Sequence, residues 1–451
     1  MRAADVHALL GDPAPPFLIE EADVAARRTY HHLRHQAFVE HQGLFGHTDL
    51  DDRDDDPRTV VLTARDHTGT VIGGVRLGPA TPEPDIGWWQ GGRLVAAPST
   101  RGVGAALVRA ACARAEATGA VRFDATVQLG TQRFFQRLGW DTVRPVTVAE
   151  TPHVLMRWPI GRIARLAATT KGELGPLLQG IGPAGYVGDD GAPVPGSDLV
   201  AACDAILPAM VERDPEWAGW CAVLVNVNDL AAMGAVPVGL LDALGARDAA
   251  SAQRVLRGLK KAAEAYGVPI LGGHTQLGVP AALSVTALGR TARPVAGGGG
   301  RPGEQVRLTV DLGGSWRPGY AGRQWDSTTH RQPDELQAMT AAVGRAQPSA
   351  AKDVSMAGVV GTLGMLAEAS GCGAVLDVSD IPKPSMASMG DWLTCFPGFA
   401  MLTTGARELD AGPATSAICG ELTTGQGVVL RWPDGDVTPA LTAGVTGMGA
   451  A

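Results

Sequence analysis

Apolar positions along the chain alternate between helical spacing and short runs that stop at polar, glycine-flanked ends. Thr29–Leu44 carries Tyr30, Leu33, Ala37 and Phe38 at helical spacing and is predicted to be a helix. Thr59–Ala64 and Thr70–Leu77 read as strands paired around the turn Asp66-His67-Thr68-Gly69. A further strand, entered at Arg93, runs into the turn Arg101-Gly102-Val103-Gly104, which opens a helix reaching Gly119. The apolar run from Gly185 ends in Asp189-Asp190, and Leu199–Cys203 ends in Asp204. Ala222–Asn228 is predicted to be a buried strand, with Asn228 or Asp229 beginning a short helix closed by Pro237. Asp248–Tyr266 is an amphipathic helix with Gly267 as its stop. Val268–Leu271 is a strand ending in the turn Gly272-Gly273-His274-Thr275, and Leu283–Gly289 and Val306–Leu312 follow as strands.

A chain of 451 residues suggests about three folding units at roughly 150 residues each. Two breaks agree with that count. Eight of the ten histidines fall before residue 159, and the run Gly297–Gly300 divides the remainder. Domains are therefore expected over 1–160, 165–296 and 301–446. The net charge of −8 argues against a nucleic-acid or anionic-membrane binder, because phosphate backbones are bound by clustered positive charge. Six cysteines without a C-x-x-C pair suit reduced thiols rather than a disulfide framework or a zinc site. No apolar core of signal-peptide length opens the sequence, so a cytoplasmic protein is expected. The acidic run Asp49–Asp56 is expected to be an exposed loop.

Two stretches carry candidate chemistry. Glycines in the turn at 101–106 let backbone N–H groups approach an anion closely, and the helix start adds partial positive charge, which fits a pyrophosphate. The second stretch is a series of run ends carrying Asp189, Asp190, Asp204 and Asp229. Adjacent carboxylates repel unless a cation sits between them, and hard oxygen ligands suit Mg²⁺. Gathering phosphates around magnesium requires such groups. Each acid taken singly reads more readily as a helix cap or turn former; it is their recurrence at successive strand ends that points to a metal.

Residues 93–107 resemble the acyl-CoA motif of the GNAT acyltransferases, with Arg101, Gly104 and Ala106 at the motif positions. Leu33–Gln42 is similar to the opening helix of one GNAT branch, and Phe134–Trp140 to the family's F-Y-x-x-x-G-F segment. The resemblance implies acetyl-CoA or another acyl-CoA held by Arg101, Gly102, Val103, Gly104, Ala105 and Ala106. Glu40, with His41 beside it, either supplies a base for an amine or merely pairs with Arg34 or caps a helix. Phe135 stands where the family often has a tyrosine acid, so that role is empty.

From residue 165 onward the chain resembles the ATP-binding superfamily of aminoimidazole-ribonucleotide (AIR) synthase, which includes thiamine-monophosphate kinase and selenophosphate synthetase. The matching segments are Gly188–Ala192, Cys203-Asp204, Val225–Pro237, Gly272–Thr275, Arg301–Thr309 and Lys352–Gly358. The implied fold class is α/β (α+β), a GNAT fold followed by a two-lobed AIR synthase-like fold that dimerises through its first lobe. The resemblance implies ATP and Mg²⁺, with Asp189, Asp190, Asp204 and Asp229 at the metal. It places Gly188, Asn226, Asn228, Gly272, Gly273 and Lys352 at the nucleotide, and Asp229, His274 and Asp353 in catalysis. His274 either touches a phosphate or is a satisfied core histidine. Asp353 either opens a phosphate-binding helix or is an ordinary N-cap.

Departures narrow the chemistry. The arm Ile163–Gly185 has Lys171 but no cysteine, the chain ends without one, and Gly191 and Cys203 replace the usual Ala and Thr. The Arg- and Trp-rich insert Trp316–His330 is either a substrate loop or a surface loop. The expected activity is phosphoryl transfer to an oxygen of a small molecule, joined to acyl transfer. The alternatives are a nucleotide- or CoA-sensing scaffold, or an acetyltransferase with a structural module.

Overall fold

The computed structural model describes residues 16–97, 100–182, 184–405 and 408–450. The N-terminal residues 1–15 lie outside them, as do Pro98 and Ser99 before the glycine-rich turn. The chain forms two compact units, the first ending at Ile160 and including Ser388–Gly390, the second formed by the rest. Among the described residues, no helix is long and apolar enough to cross a membrane.

The first unit is built on a seven-stranded sheet of β1 (Phe17–Glu21), β2 (Val60–Asp66), β3 (Val71–Pro79), β4 (Trp88–Ala96), β5 (Arg122–Gln128), β6 (Asp141–Val148) and β7 (Thr151–Trp158), in the order β1-β2-β3-β4-β5-β7-β6. Its one parallel junction is short. Trp88–Gly91 pair with Arg122–Ala125, after which β4 and β5 continue without pairing to each other. The two strands therefore part like a V. Before β2 come α1 (Val24–His35) and α2 (Asp52–Asp55); α3 (Val103–Ala117) follows β4, and α4 (Gln132–Arg137) follows β5. Val103, Leu107, Val108, Ala111, Cys112 and Ala115 form the buried face of α3.

Two expectations for this unit need correction. The opening helix starts earlier, capped by Asp23, and beyond His35 it widens into a π-helical turn over Gln36–His41. That turn buries Phe38 while leaving Glu40 in solvent. The acidic run is an exposed loop only in part: Leu50, Asp51, Asp52 and Asp55 are exposed, but the run is neither all loop nor all in solvent. It forms α2, and Asp49 is only 2% exposed because Arg34, itself fully buried, donates to it and to Asp54 at 2.6 Å each. Arg76 and Arg93 reach Asp51 from β3 and β4. Burying Arg34, Asp49 and Asp54 is tolerable only because each finds an opposite partner.

In the second unit, α5 (Arg162–Lys171) leads to a five-stranded sheet of β8 (Ala192–Pro193), β9 (Leu199–Ile206), β10 (Val236–Ala246), β11 (Ile270–Leu277) and β12 (Ala282–Arg290), ordered β11-β10-β12-β9-β8. Two long helices, α6 (Pro215–Ala232) and α7 (Ala249–Tyr266), pack together beside it. The predicted strand Ala222–Asn228 is thus the middle of α6. Pro215 occupies its first turn, where no N–H is needed, and the helix is buried on nearly every side. A helix apolar all round carries no 3.6-residue signature to separate it from a strand. α6 and α7 meet at glycines: a Cβ on Gly219 would stand 2.1 Å from the Val255 carbonyl oxygen, and one on Gly258 1.8 Å from that of Glu216. α7 itself is as expected, with Asp248 capping Ser251 N at 2.7 Å and Gly267 stopping it at φ 69°.

The segment Gly185–Asp190 is a loop, not a strand, and β8 begins only after the carboxylates. Gly272, Gly273, His274 and Thr275 are not a turn either; they sit inside the fully exposed edge strand β11.

The second sheet contains β13 (Gln305–Val310), β16 (Ala350–Asp353), β17 (Gly373–Asp377), β18 (Ala400–Thr404), β19 (Thr415–Thr423), β20 (Val428–Arg431) and β21 (Val437–Leu441), ordered β16-β18-β13-β19-β17-β20-β21. The buried helix α8 (Gly358–Ala369) packs against it. The insert is neither loose nor simply superficial: β14 (Ser315–Trp316) and β15 (Trp325–Asp326) form a small hairpin. Trp325, 1% exposed, meets Trp316 and Trp392 edge-on, and its indole N–H donates to the Gly313 carbonyl at 2.6 Å. Arg317 then ties the hairpin to Asp214, at the head of α6, at 2.7 Å.

Candidate functional site

In the second unit three elements bring carboxylates together. Asp190 comes from the loop before β8, Asp229 from the last turns of α6, and Asp353 from the end of β16; each offers an oxygen within 4.8 Å of the others. Asp190 is well held, accepting from the Lys352 ammonium and from the Asp353 backbone N–H at 2.9 Å. Lys352 also donates to the Gly188 carbonyl at 2.9 Å. Asp353 Oδ2 and Asp189 Oδ2 are buried without a hydrogen-bond partner. Burial, reinforced by Asp353, Asp204 and Asp190, pushes the Asp229 carboxyl far above the usual range. Burial and the neighbouring acids do the same to Asp353. Asp204, on β9, is raised by burial, with Lys171 opposing and Asp190 adding, and burial lifts Asp189 to about 6. Lys352 keeps its charge despite burial because Asp190 favours it. The protein thus crowds acids that its own cations do not balance.

The remaining predicted residues of this unit divide. Asn226 is fully buried and serves the scaffold: its side-chain oxygen accepts from Asp204 N, and its amide donates to Ala222 O. Asn228 donates to Gly398 O but leaves its own oxygen unpartnered. Asp353 ends a strand and caps nothing, since α8 begins at Gly358. His274 is exposed on β11, which removes the core-histidine alternative. Gly272 and Gly273 share that exposed edge strand.

In the first unit the parting of β4 and β5 opens a cavity of about 230 Å³. Gly91 and Gly92 line it from β4, Thr126 and Gln128 from β5, and Phe134 and Phe135 from α4. At the start of α3, Gly102 takes a left-handed conformation at φ 87° and no side chain caps the helix. The first amides of α3, those of Val103, Gly104 and Ala105, precede the first bond of the helix, from Ala106 N to Gly102 O. Val103 itself is buried, so only its backbone can meet an anion; Arg101 is exposed. Glu40 lies outside the cavity lining and pairs with His35 at 3.7 Å, not with Arg34. The cavity also contains a residue the sequence did not flag, His153. It belongs to no motif, and only the fold brings it beside Gln128.

Comparison with known proteins finds a family match in each unit. Residues 188–291 match the AIR synthase related protein N-terminal domain, and residues 310–432 its C-terminal domain. An uncharacterized protein of Synechocystis sp. is 36% identical over 233 residues, 50% of this chain and 72% of that one. The chain belongs to the AIR synthase-related family. Residues 24–140 match the acetyltransferase (GNAT) family, so this AIR synthase-related enzyme carries a GNAT domain ahead of its family module. The thiamine-monophosphate kinase of Synechococcus elongatus is 30% identical over 241 residues, 47% of this chain and 73% of its own. Among solved structures, T. maritima PurL complexed with FGAR is similar with a TM-score of 0.51 at 15% identity, covering 65% of this chain and 54% of that chain, a likeness of fold.

Proposed function

We propose that the AIR synthase-related module transfers a phosphoryl group from ATP to an oxygen of a small molecule, with Mg²⁺ held by Asp190, Asp229 and Asp353 and by the adjacent Asp189 and Asp204. The observation that carries this reading is the trio of carboxylates within 4.8 Å, one of them with a buried oxygen lacking any partner. Such a donor set fits a hard divalent cation. Bound there, Mg²⁺ would neutralise charge on the transferring phosphate. The chain's own part is positioning: Lys352 and the Asp353 amide fix Asp190, while α6 presents Asp229 from a rigid, buried rod. The similarity to a thiamine-monophosphate kinase supports phosphoryl transfer as the reaction class.

The first unit, in this reading, binds acetyl-CoA or another acyl-CoA, with its pyrophosphate at Arg101 and the Gly102–Ala105 amides, the Ala106 amide being spent on Gly102 O, and its thioester in the parted strands. We further propose domains at 1–160, 165–296 and 301–446, a cytoplasmic location, and a homodimer. The exposed apolar side chains Leu241, Ile270, Leu271 and Leu277 on β10 and β11 favour pairing with a second copy. ADP release with Mg²⁺ and ATP across pools of small metabolites tests the activity; identical release from the Asp229→Asn and Asp353→Asn proteins would sink it.

A further inference from the structure

We infer that the cavity of the first unit is an acyl-transfer centre in which His153 accepts the proton of a primary amine with an apolar or aromatic body. This rests on the acyl-CoA reading above. His153 lies on β7 directly across from Gln128 of β5, and both line the cavity. Its Nδ1 is 2.9 Å from the Thr151 carbonyl oxygen. A carbonyl oxygen only accepts, so Nδ1 carries the hydrogen and the neutral ring offers Nε2 as a lone pair. The residue is 4% exposed, yet Nε2 is neither bonded to a described residue nor among the sealed, unpartnered atoms. It opens on the cavity.

No other side chain among the described lining residues can take that proton. The described lining contains no Asp or Glu. Gln128 donates to Gln42 at 2.8 Å, and amides and hydroxyls are not bases near neutral pH. Arg93 is held by the Asp49 carbonyl and by Asp51, with its guanidinium 4.5 Å from the centre of the Phe45 ring. The walls indicate the acceptor. Phe38, Phe45, Phe134 and Trp140 offer apolar surface, and with no lining carboxylate a second cationic group on the acceptor would find no partner.

The step balances with these groups alone. The amine nitrogen attacks the thioester carbonyl carbon, the new C–N bond forms and the C–S bond breaks. His153 Nε2 takes the proton that nitrogen sheds and later returns it to water. Sulfur departs as a thiolate and draws a proton from solvent, because Phe135 has none to give. An amide and free CoA thiol result.

The test uses the full chain, acetyl-CoA, and phenethylamine as the probe amine. Calorimetry first measures acetyl-CoA binding; its absence overturns the acyl-CoA reading itself. With binding intact, diethyl pyrocarbonate should modify His153, mapped by peptide mass spectrometry, and acetyl-CoA should slow that modification. Thiol release should fall at least about 100-fold in His153→Ala and His153→Gln, with acetyl-CoA affinity within about threefold of wild type. Added imidazole should restore release in His153→Ala but not in His153→Phe, whose ring fills the gap. Circular dichroism identifies any variant that fails to fold. The inference is overturned if His153 resists modification, if a folded variant keeps the wild-type rate, if imidazole rescues nothing, or if wild type binds acetyl-CoA without phenethylamine-dependent release of thiol.

Discussion

Lys352 and Asp353, neighbours on β16, grip Asp190 from two sides, the ammonium donating to one carboxylate oxygen and the Asp353 amide to the other. The buried cation is thereby used on Asp190, and the Asp229 and Asp353 carboxyls are left facing each other across the cluster.

That imbalance predicts a specific exchange between stability and binding. Adding Mg²⁺ to 100 times its dissociation constant should stabilise the protein by about 2.7 kcal/mol. Asp229→Asn should melt higher than wild type without Mg²⁺, because a buried repulsion is gone. The same variant should show no Mg²⁺ shift and should lose at least about 100-fold in ATP turnover. Differential scanning calorimetry with and without Mg²⁺ checks the first two. A lower metal-free melting temperature would refute the account of the cluster.

The Asp54 carboxyl gives a prediction in pH. Burial alone would raise it, but its hydrogen bonds from Arg34 and the charge of Arg76 hold it well below the usual carboxylate range. A carboxyl lowered in the folded state contributes stability that is complete above its ordinary value of 3.8 and is lost as pH falls through the folded one. Asp54→Asn should cost about 3–5 kcal/mol at pH 7, because it leaves buried arginine partly unpaired. The gap between the two proteins should narrow between pH 4 and pH 2. A gap that stays constant over that range would contradict the pairing.

Trp325 anchors the insert to the second unit. Trp325→Ala should destabilise by about 3–5 kcal/mol, read as a lower urea midpoint with the slope unchanged. A cost near zero would mean that the hairpin is dispensable to the fold.

Leu271, 57% exposed on the edge strand β11, tests the proposed pairing of two copies. Leu271→Asp should elute and scatter light as a monomer at micromolar concentration where wild type is a dimer, with its circular dichroism unchanged. A dimeric variant would move the interface elsewhere.

Legibility in the sequence followed the physics of each segment. α7 could be read because one face is apolar, Asp248 caps it and Gly267 stops it. α6 could not, since Val223, Val225 and Val227 are strand-forming residues and burial on nearly all sides removes the amphipathic stripe. Its Asp229 is legible all the same, because the segment Val225–Pro237 carries its resemblance whatever its secondary structure. The acidic run misled for another reason: its partners Arg34, Arg76 and Arg93 are far away in sequence, and only the fold reveals a compensated charge. His153 had no signal, being a single histidine on a strand whose neighbour Gln128 is 25 positions earlier.

Gly219 and Gly258 carry no chemistry, yet they govern where Asp229 stands. α6 rests backbone to backbone on α7 at these two points, and Asp229 lies ten residues beyond Gly219, about 15 Å along the same rod. A single methyl group at either position would lever α6 outward and swing its carboxylate away from Asp190 and Asp353. Random mutagenesis scored by loss of activity will therefore hit methyl-sized changes remote from any ligand, and the genetic footprint of the carboxylate site will be larger than its chemical one.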